Sequence, residues 1–469
     1  MFRTKNNMTN KILLRCFLLV ILLQPSIQTL CASSAAADTI APTSTGSFSQ
    51  QYTQLTKNIL LTGFEVERFS LNFRMESAKQ PKFRKLRYFV SQEAGSAGGL
   101  AFEITEVDQL GKGRKNPLQI DKRALRGALA ATTTTSIIAG SGSLFELSSN
   151  VLQMIKNKRH GYDPNSATKY VSTKLKHIDE LLAQREALVA ANADSPSYER
   201  AVAEGKVLHA LRSSFINEYS HFNADTSAYR TYQNLFYVLN ASYNSVGAMA
   251  ANVAYRAVAR PHLNGTANIL FIVSGGLAMV TPVLCQAAGL YAQKRAYASV
   301  KKEMGPSDFN PDRFAQDCKN LDSAGTSVEG SLMPSLPATQ RFALYTQSNE
   351  LFTKQLDSET KTMRKLEKVA LQNSYLGPVI GSTLMTQGIL GTYGYYNYPI
   401  RIRKQLNQFY CGAIVGTVGT SMAVVGNAAS LLGTLAYEHK LAKQKRLPIQ
   451  LIKERLTHLD EMEKLVSAL

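Results

Sequence analysis

The chain has 469 residues, and 53 Lys and Arg against 34 Asp and Glu give it a formal net charge of +19. Five cysteines with no CxxC and no Cys/His cluster exclude a disulfide-stapled scaffold and a structural zinc site. So basic a soluble protein would point to nucleic acid. Here the basic residues gather beside apolar stretches, the arrangement that anchors a chain to anionic lipid head groups, and no nucleic-acid partner is expected.

Residues 1–37 have the layout of a signal peptide. Arg3, Lys5 and Lys11 make a positive start, an apolar run follows at 16–23, and Ala35 and Ala37 fit a small-x-small cleavage site. Residues 38–50, mostly small and polar, are expected to be a linker. Residues 51–120 read as a small N-terminal domain, with strands or as an irregular segment. Segments 64–69, 86–90 and 100–107 alternate partially and carry aromatic or β-branched side chains, and Gly95, Gly98 and Gly99 punctuate them.

Residues 121–230 hold a marginal membrane segment and charged helices. Segment 127–145 is uncharged but rich in Thr and Ser, so it is a poor spanning helix. Residues 171–190 and 197–215 show helical apolar spacing with charges of both signs on the remaining faces.

Three stretches carry no formal charge: 261–293 (33 residues), 369–400 (32) and 405–437 (33). Each is long enough to span a bilayer, which takes roughly 20 apolar residues. Segment 231–255 is also uncharged but holds Asn234, Asn240, Asn244 and Asn252, and it would span only as the partner of 261–293. Residues 231–330 are therefore expected to form a first helical hairpin and connector. Residues 331–469 are expected to form a second hairpin with a preceding helix and a basic helical tail. Gly247, Gly275 and Gly289 recur as Gly391, Gly419 and Gly433 at a constant offset of 144, which suggests degenerate repeats. A third copy, lacking half its hairpin, would lie upstream. Basic residues crowd the long connections more than the two short turns, which by the positive-inside rule would make the connections cytoplasmic.

Glycine spacing is the most specific signal. Gly412, Gly419, Gly426 and Gly433 stand seven apart and share one helix face, and Gly412 with Gly416 makes a small-xxx-small pair. Gly377, Gly381 and Gly388 give the partner stretch a matching small face. With Gly275 and Gly289, these residues are expected to pack helix on helix, and self-association or protein partners could use the same faces. Asn240, Asn244, Asn252 and Gln387 could line a polar path, although such amides more often bond across helices. No Asp, Glu, Lys or Arg interrupts the three strongest stretches, so a coupled pump is not expected.

Nothing points to catalysis. His177/Asp179 and His458/Asp460 recur, but positions i and i+2 on a helix face different ways. No HExxH, GxSxG or Walker motif is present. No catalytic residue, metal or cofactor is expected. The fold class expected is an all-α membrane protein with two Gly-rich transmembrane hairpins, charged helical connectors and a small β-containing N-terminal domain, reached through the secretory route. The leading expectation is a non-enzymatic membrane scaffold or assembly component. A channel-like passive transporter and a secreted membrane-inserting protein are the alternatives.

Overall fold

The structure is a computed structural model in which residues 47–78, 83–305, 307–325, 345 and 376–467 are described. The signal peptide, most of the polar linker and, apart from residue 345, the helix expected before the second hairpin lie outside them. Every regular element among the described residues is helical. The principal helices are α1 (Phe48–Ala78), α2 (Arg84–Lys115), α3 (Lys122–Arg159), α4 (Pro164–Ala190), α5 (Tyr198–Ala257), α6 (Asn264–Met304), α7 (Pro311–Gly325), α8 (Leu376–Asn397), α9 (Ile402–Lys443) and α10 (Pro448–Ser467).

The strands expected at 64–69, 86–90 and 100–107 are not formed; these residues belong to α1 and α2. The physical reason lies in what the helices bury. Along α1, Tyr52, Thr56, Ile59, Gly63, Glu67, Leu71 and Arg74 recur at helical spacing and are buried, but two of them are charged. Glu67 and Arg74 are tied into ion pairs with Arg455 and Glu218, so the stripe does not read as apolar. Along α2 the buried face is Gly98, Glu103 and Gly113 as much as Phe102 and Leu110. Gly95 and Gly98, read above as punctuation, are contact points: Cβ atoms built there would meet Ala139 and Thr135 of α3.

α2 and α3 therefore make a hairpin through the short turn at Pro117–Gln119, and Asp121 caps the return helix by accepting from the backbone N–H of Arg123 and Ala124. With α5/α6 and α8/α9 there are three hairpins among the described residues, not two. The 120/121 domain boundary expected above falls inside the first turn, and 230/231 falls inside α5.

The hairpins close a ring. α2 packs on α3, α3 on α5, α5 on α6, α6 on α8, α8 on α9, and α9 back on α2. Their turns gather at one end. There Arg114 lies over the Tyr410 ring at 4.6 Å and Arg126 over Tyr255 at 4.4 Å, while Gly265 abuts Tyr395 and Tyr396. At the other end, a helical cap is built from α1, α4, α7, α10, the first half of α5 and the last turns of α6. α5 has 60 residues, about 90 Å at 1.5 Å per residue, and runs through both parts.

The two parts have opposite polarity. The cap has an ordinary apolar core, in which Phe64, Leu175, Leu208, Val300 and Leu459 are buried together. In the ring many large apolar side chains point outward, Val283 at 66%, Val425 at 67% and Leu432 at 66% exposed, while Phe102, Leu110, Leu129 and Leu406 are buried between its helices. Its interior also holds Gly, Ala, Ser, Thr and amides, with Ser143 at 0% and Asn240 at 4%. α6 and α9 are long and apolar enough to cross a membrane.

Candidate functional site in the ring interior

Glycines set how closely the ring helices approach. A Cβ on Gly275 would lie 2.6 Å from the carbonyl oxygen of Gly381, and one on Gly381 would lie 2.5 Å from that of Gly275. Gly377 meets Ala278 O at 3.3 Å and Gly388 meets Asn268 O at 2.7 Å. The small face of α8 thus seats against α6 of the preceding hairpin, not against the glycines of α9. The α9 glycines face other residues of α8 and α2: Gly412 abuts Gln387, Gly416 abuts Gln387 and Glu103, Gly419 abuts Thr383, and Gly426 abuts the Leu376 side chain. Gly289 approaches Ala228 O of α5 at 3.3 Å. Gly433 departs from the expected seam, because a Cβ there meets nothing within 4 Å among the described residues.

Polar side chains meet where three helices converge. Asn240 of α5 donates to Tyr88 Oη (2.7 Å) and Gln92 Oε1 (3.0 Å) of α2 and to Ser143 Oγ (2.7 Å) of α3. Asn244 donates back to the Asn240 carbonyl at 2.9 Å. One end of this cluster carries charge. Glu146, 1% exposed, accepts from Arg87 Nε at 2.9 Å and pairs with Arg84 at 3.0 Å. Arg84 also reaches Asn150 Oδ1 at 2.6 Å.

A second cluster lies farther along α2, toward the turns. Gln387 of α8 donates from Nε2 to Glu103 Oε2 at 2.9 Å and to Glu106 Oε2 at 3.3 Å. Glu103 is 3% and Gln387 7% exposed. Among the described residues neither carboxylate forms an ion pair, and Gln387 Oε1 is buried with no hydrogen-bond partner. The Cβ position of Gly416 is 2.7 Å from Gln387 Oε1 and closer still to Glu103 Oε2. Glu103 and Gln387 thus press directly on Gly416 and leave no room for a side chain there.

Of the amides expected to line a path, Asn240 and Asn244 share the first cluster and Gln387 belongs to the second, about 16 Å farther along α2 at 1.5 Å per residue. Asn252 is exposed on α5 and belongs to neither. The sequence reading missed Tyr88, Gln92, Glu103 and Glu106 because they lie in a segment read as strands. The i, i+3 spacing of Glu103 and Glu106, which puts them on one helical face, was the available signal. The recurring His–Asp pairs stand apart from both clusters. Asp179 is held by Arg212 at 2.6 Å, and Asp460 pairs with Arg68 in the cap. No family model, curated protein or solved structure matches this chain.

Proposed function

We propose that this chain is an integral membrane protein whose three hairpins cross the bilayer as a six-helix ring, with the helical cap standing on one side, and that it works as a non-enzymatic scaffold. The observation that carries the reading is the inverted polarity of the ring. A helix bundle in water buries its large apolar side chains, whereas one in lipid can turn them outward and pack through small residues and interhelical hydrogen bonds. Val283, Val425 and Leu432 outside and Gly275, Gly381 and Asn240 inside follow the second pattern. Exposed tyrosines near both ends, Tyr291 on the cap side and Tyr396 near the turns, suit the two lipid–water interfaces. Within such a protein the cap is the surface left for partners.

The first hairpin brings Arg114, Lys115, Lys122, Arg123 and Arg126 to the turn end, beside Arg260, Arg401 and Arg403. The same hairpin brings Arg84, Lys85, Arg87, Lys156, Lys158 and Arg159 to the cap end, so both ends of the ring are basic. Alkaline carbonate extraction tests the membrane reading: the protein should stay with the pelleted membrane, and release into the supernatant would contradict it.

A second reading, passive transport, is favoured by one observation. Glu103 is buried inside the ring and Glu106 is half-buried beside it, in a place where a charged group is costly and usually functional. Ion flux into vesicles reconstituted with the full chain separates the two readings, since a scaffold gives none.

A further inference from the structure

We infer that the turn end of the ring is a binding surface for anionic phospholipid head groups, with the hairpin tips set among their phosphates. The inference rests on the membrane reading above. Folding brings together three segments that stand far apart in the sequence. Residues 114–126 supply five Lys and Arg, 256–260 two and 401–404 three. The same segments hold one acid, Asp121, whose carboxylate accepts from the backbone N–H of Arg123 and Ala124. Asp108, nearby on α2, is taken by Lys112 at 2.6 Å. The basic residues of the three segments therefore have no carboxylate partner among the described residues. Three of them are laid on aromatic rings instead: Arg114 on Tyr410, Arg126 on Tyr255 and Lys404 on Tyr398. Stacking occupies the face of a guanidinium and leaves its N–H edge for phosphate oxygens.

Two partners offer the anions such a surface needs, a soluble polyanion and a lipid surface, and the apolar side chains beside it select the lipid. Leu118, at the tip of the first turn, is 92% exposed, and Ile400, at the tip of the third, is 89% exposed. A nucleic acid in water would leave both wetted. At a bilayer they enter the boundary between head groups and acyl chains while Lys and Arg reach the phosphates. Helix length puts the turns at that depth. From Asn264 to Gln293, α6 runs 30 residues without a charge, about 45 Å at 1.5 Å per residue, the thickness of a bilayer with its head groups.

The test places the full-length protein, with Leu118→Cys labelled by bimane in a cysteine-free background, in phosphatidylcholine nanodiscs that contain a small share of doxyl-labelled lipid. Doxyl phosphatidylglycerol should quench the probe as if enriched about fivefold over doxyl phosphatidylcholine, the effect of roughly one Lys or Arg at an anionic surface. High salt should erase most of the difference. Lys115→Gln, Lys122→Gln, Arg123→Gln and Arg401→Gln together, all at exposed positions, should bring the two lipids close to parity. The same change at exposed Lys156, Lys158, Lys440 and Lys443 of the cap end should leave the preference as it was. Helical circular dichroism and a monodisperse elution profile show that each variant is folded. Equal quenching by the two lipids, or a preference that survives the turn-end substitutions, overturns the inference and leaves the membrane reading standing. No quenching by either lipid, from a protein that stays in the carbonate pellet, does the same, because the tips would then lie outside the bilayer. Equal quenching together with binding of single-stranded RNA would give the surface to a nucleic acid. Release by carbonate overturns both the inference and the reading beneath it.

Discussion

Gly275 and Gly381 meet backbone to backbone: a Cβ on either would lie within 2.6 Å of the other's carbonyl oxygen. Backbone cannot swing aside as a side chain can. Gly381→Val should therefore weaken the ring by about 1–3 kcal/mol, the usual range for overpacking. Gly426→Leu should cost less, because its neighbour is the flexible end of Leu376. Gly433→Leu should be nearly silent. Detergent unfolding of the three variants checks the order, and equal sensitivity at 381 and 433 would remove the close-packing account.

Asn240 ties three helices together through Tyr88, Gln92 and Ser143. Asn240→Leu should destabilise by about 1–2 kcal/mol, the upper range for polar contacts between membrane helices. Asn252→Leu, on an exposed position, should change little. The same unfolding assay compares them.

How legible these contacts were depended on how far apart in sequence the partners stand. The uncharged stretches behind α6, α8 and α9 announced themselves, because a long run with no charged side chain needs no partner to be recognised. α1 and α2 did not. Their buried faces contain Glu67, Arg74 and Glu103, which look like solvent positions until partners are known. Arg455 stands 388 residues from Glu67, and Gln387 stands 284 from Glu103. No local pattern carries such pairings. Facing was also hidden within recognised helices. Gly433 and Asn252 have the residue types of packing positions but point away from the interior.

Glu218 is 2% exposed and bridges Arg74 at 2.7 Å and Arg455 at 2.8 Å, with Glu67 on the far side of Arg455 at 2.6 Å. Glu218→Gln removes the negative charge shared by two buried guanidinium groups. Breaking a buried ion pair from one side costs about 3–5 kcal/mol. The cap should unfold at clearly lower temperature in this variant, while exposed Asp460→Asn, whose partner Arg68 also reaches Glu463, should be close to wild type.

Burial pushes the Cys318 thiol up to about 11, with the nearby Asp317 adding to the shift. The folded value lies above the unfolded one, so this group's contribution to stability is complete below about 9 and is lost as pH rises towards 11. Iodoacetamide at mildly alkaline pH should leave Cys318 unmodified in the folded protein and alkylate it rapidly in denaturant. Equal rates in both states would contradict the buried placement of α7.

The proposal that the ring faces lipid is tested most directly by single cysteines placed on its outer face. In a cysteine-free background, Val283→Cys and Val425→Cys put thiols where the native side chains are 66% and 67% exposed, and Lys319→Cys puts one on the exposed side of α7 in the cap. Open membrane fragments are treated with a water-soluble maleimide, so that both aqueous sides are reached. The account predicts prompt labelling at 319 and none at 283 or 425 until the membrane is dissolved and the protein denatured. Labelling of 283 and 425 as fast as 319 in intact fragments would contradict it, because those faces would then meet water.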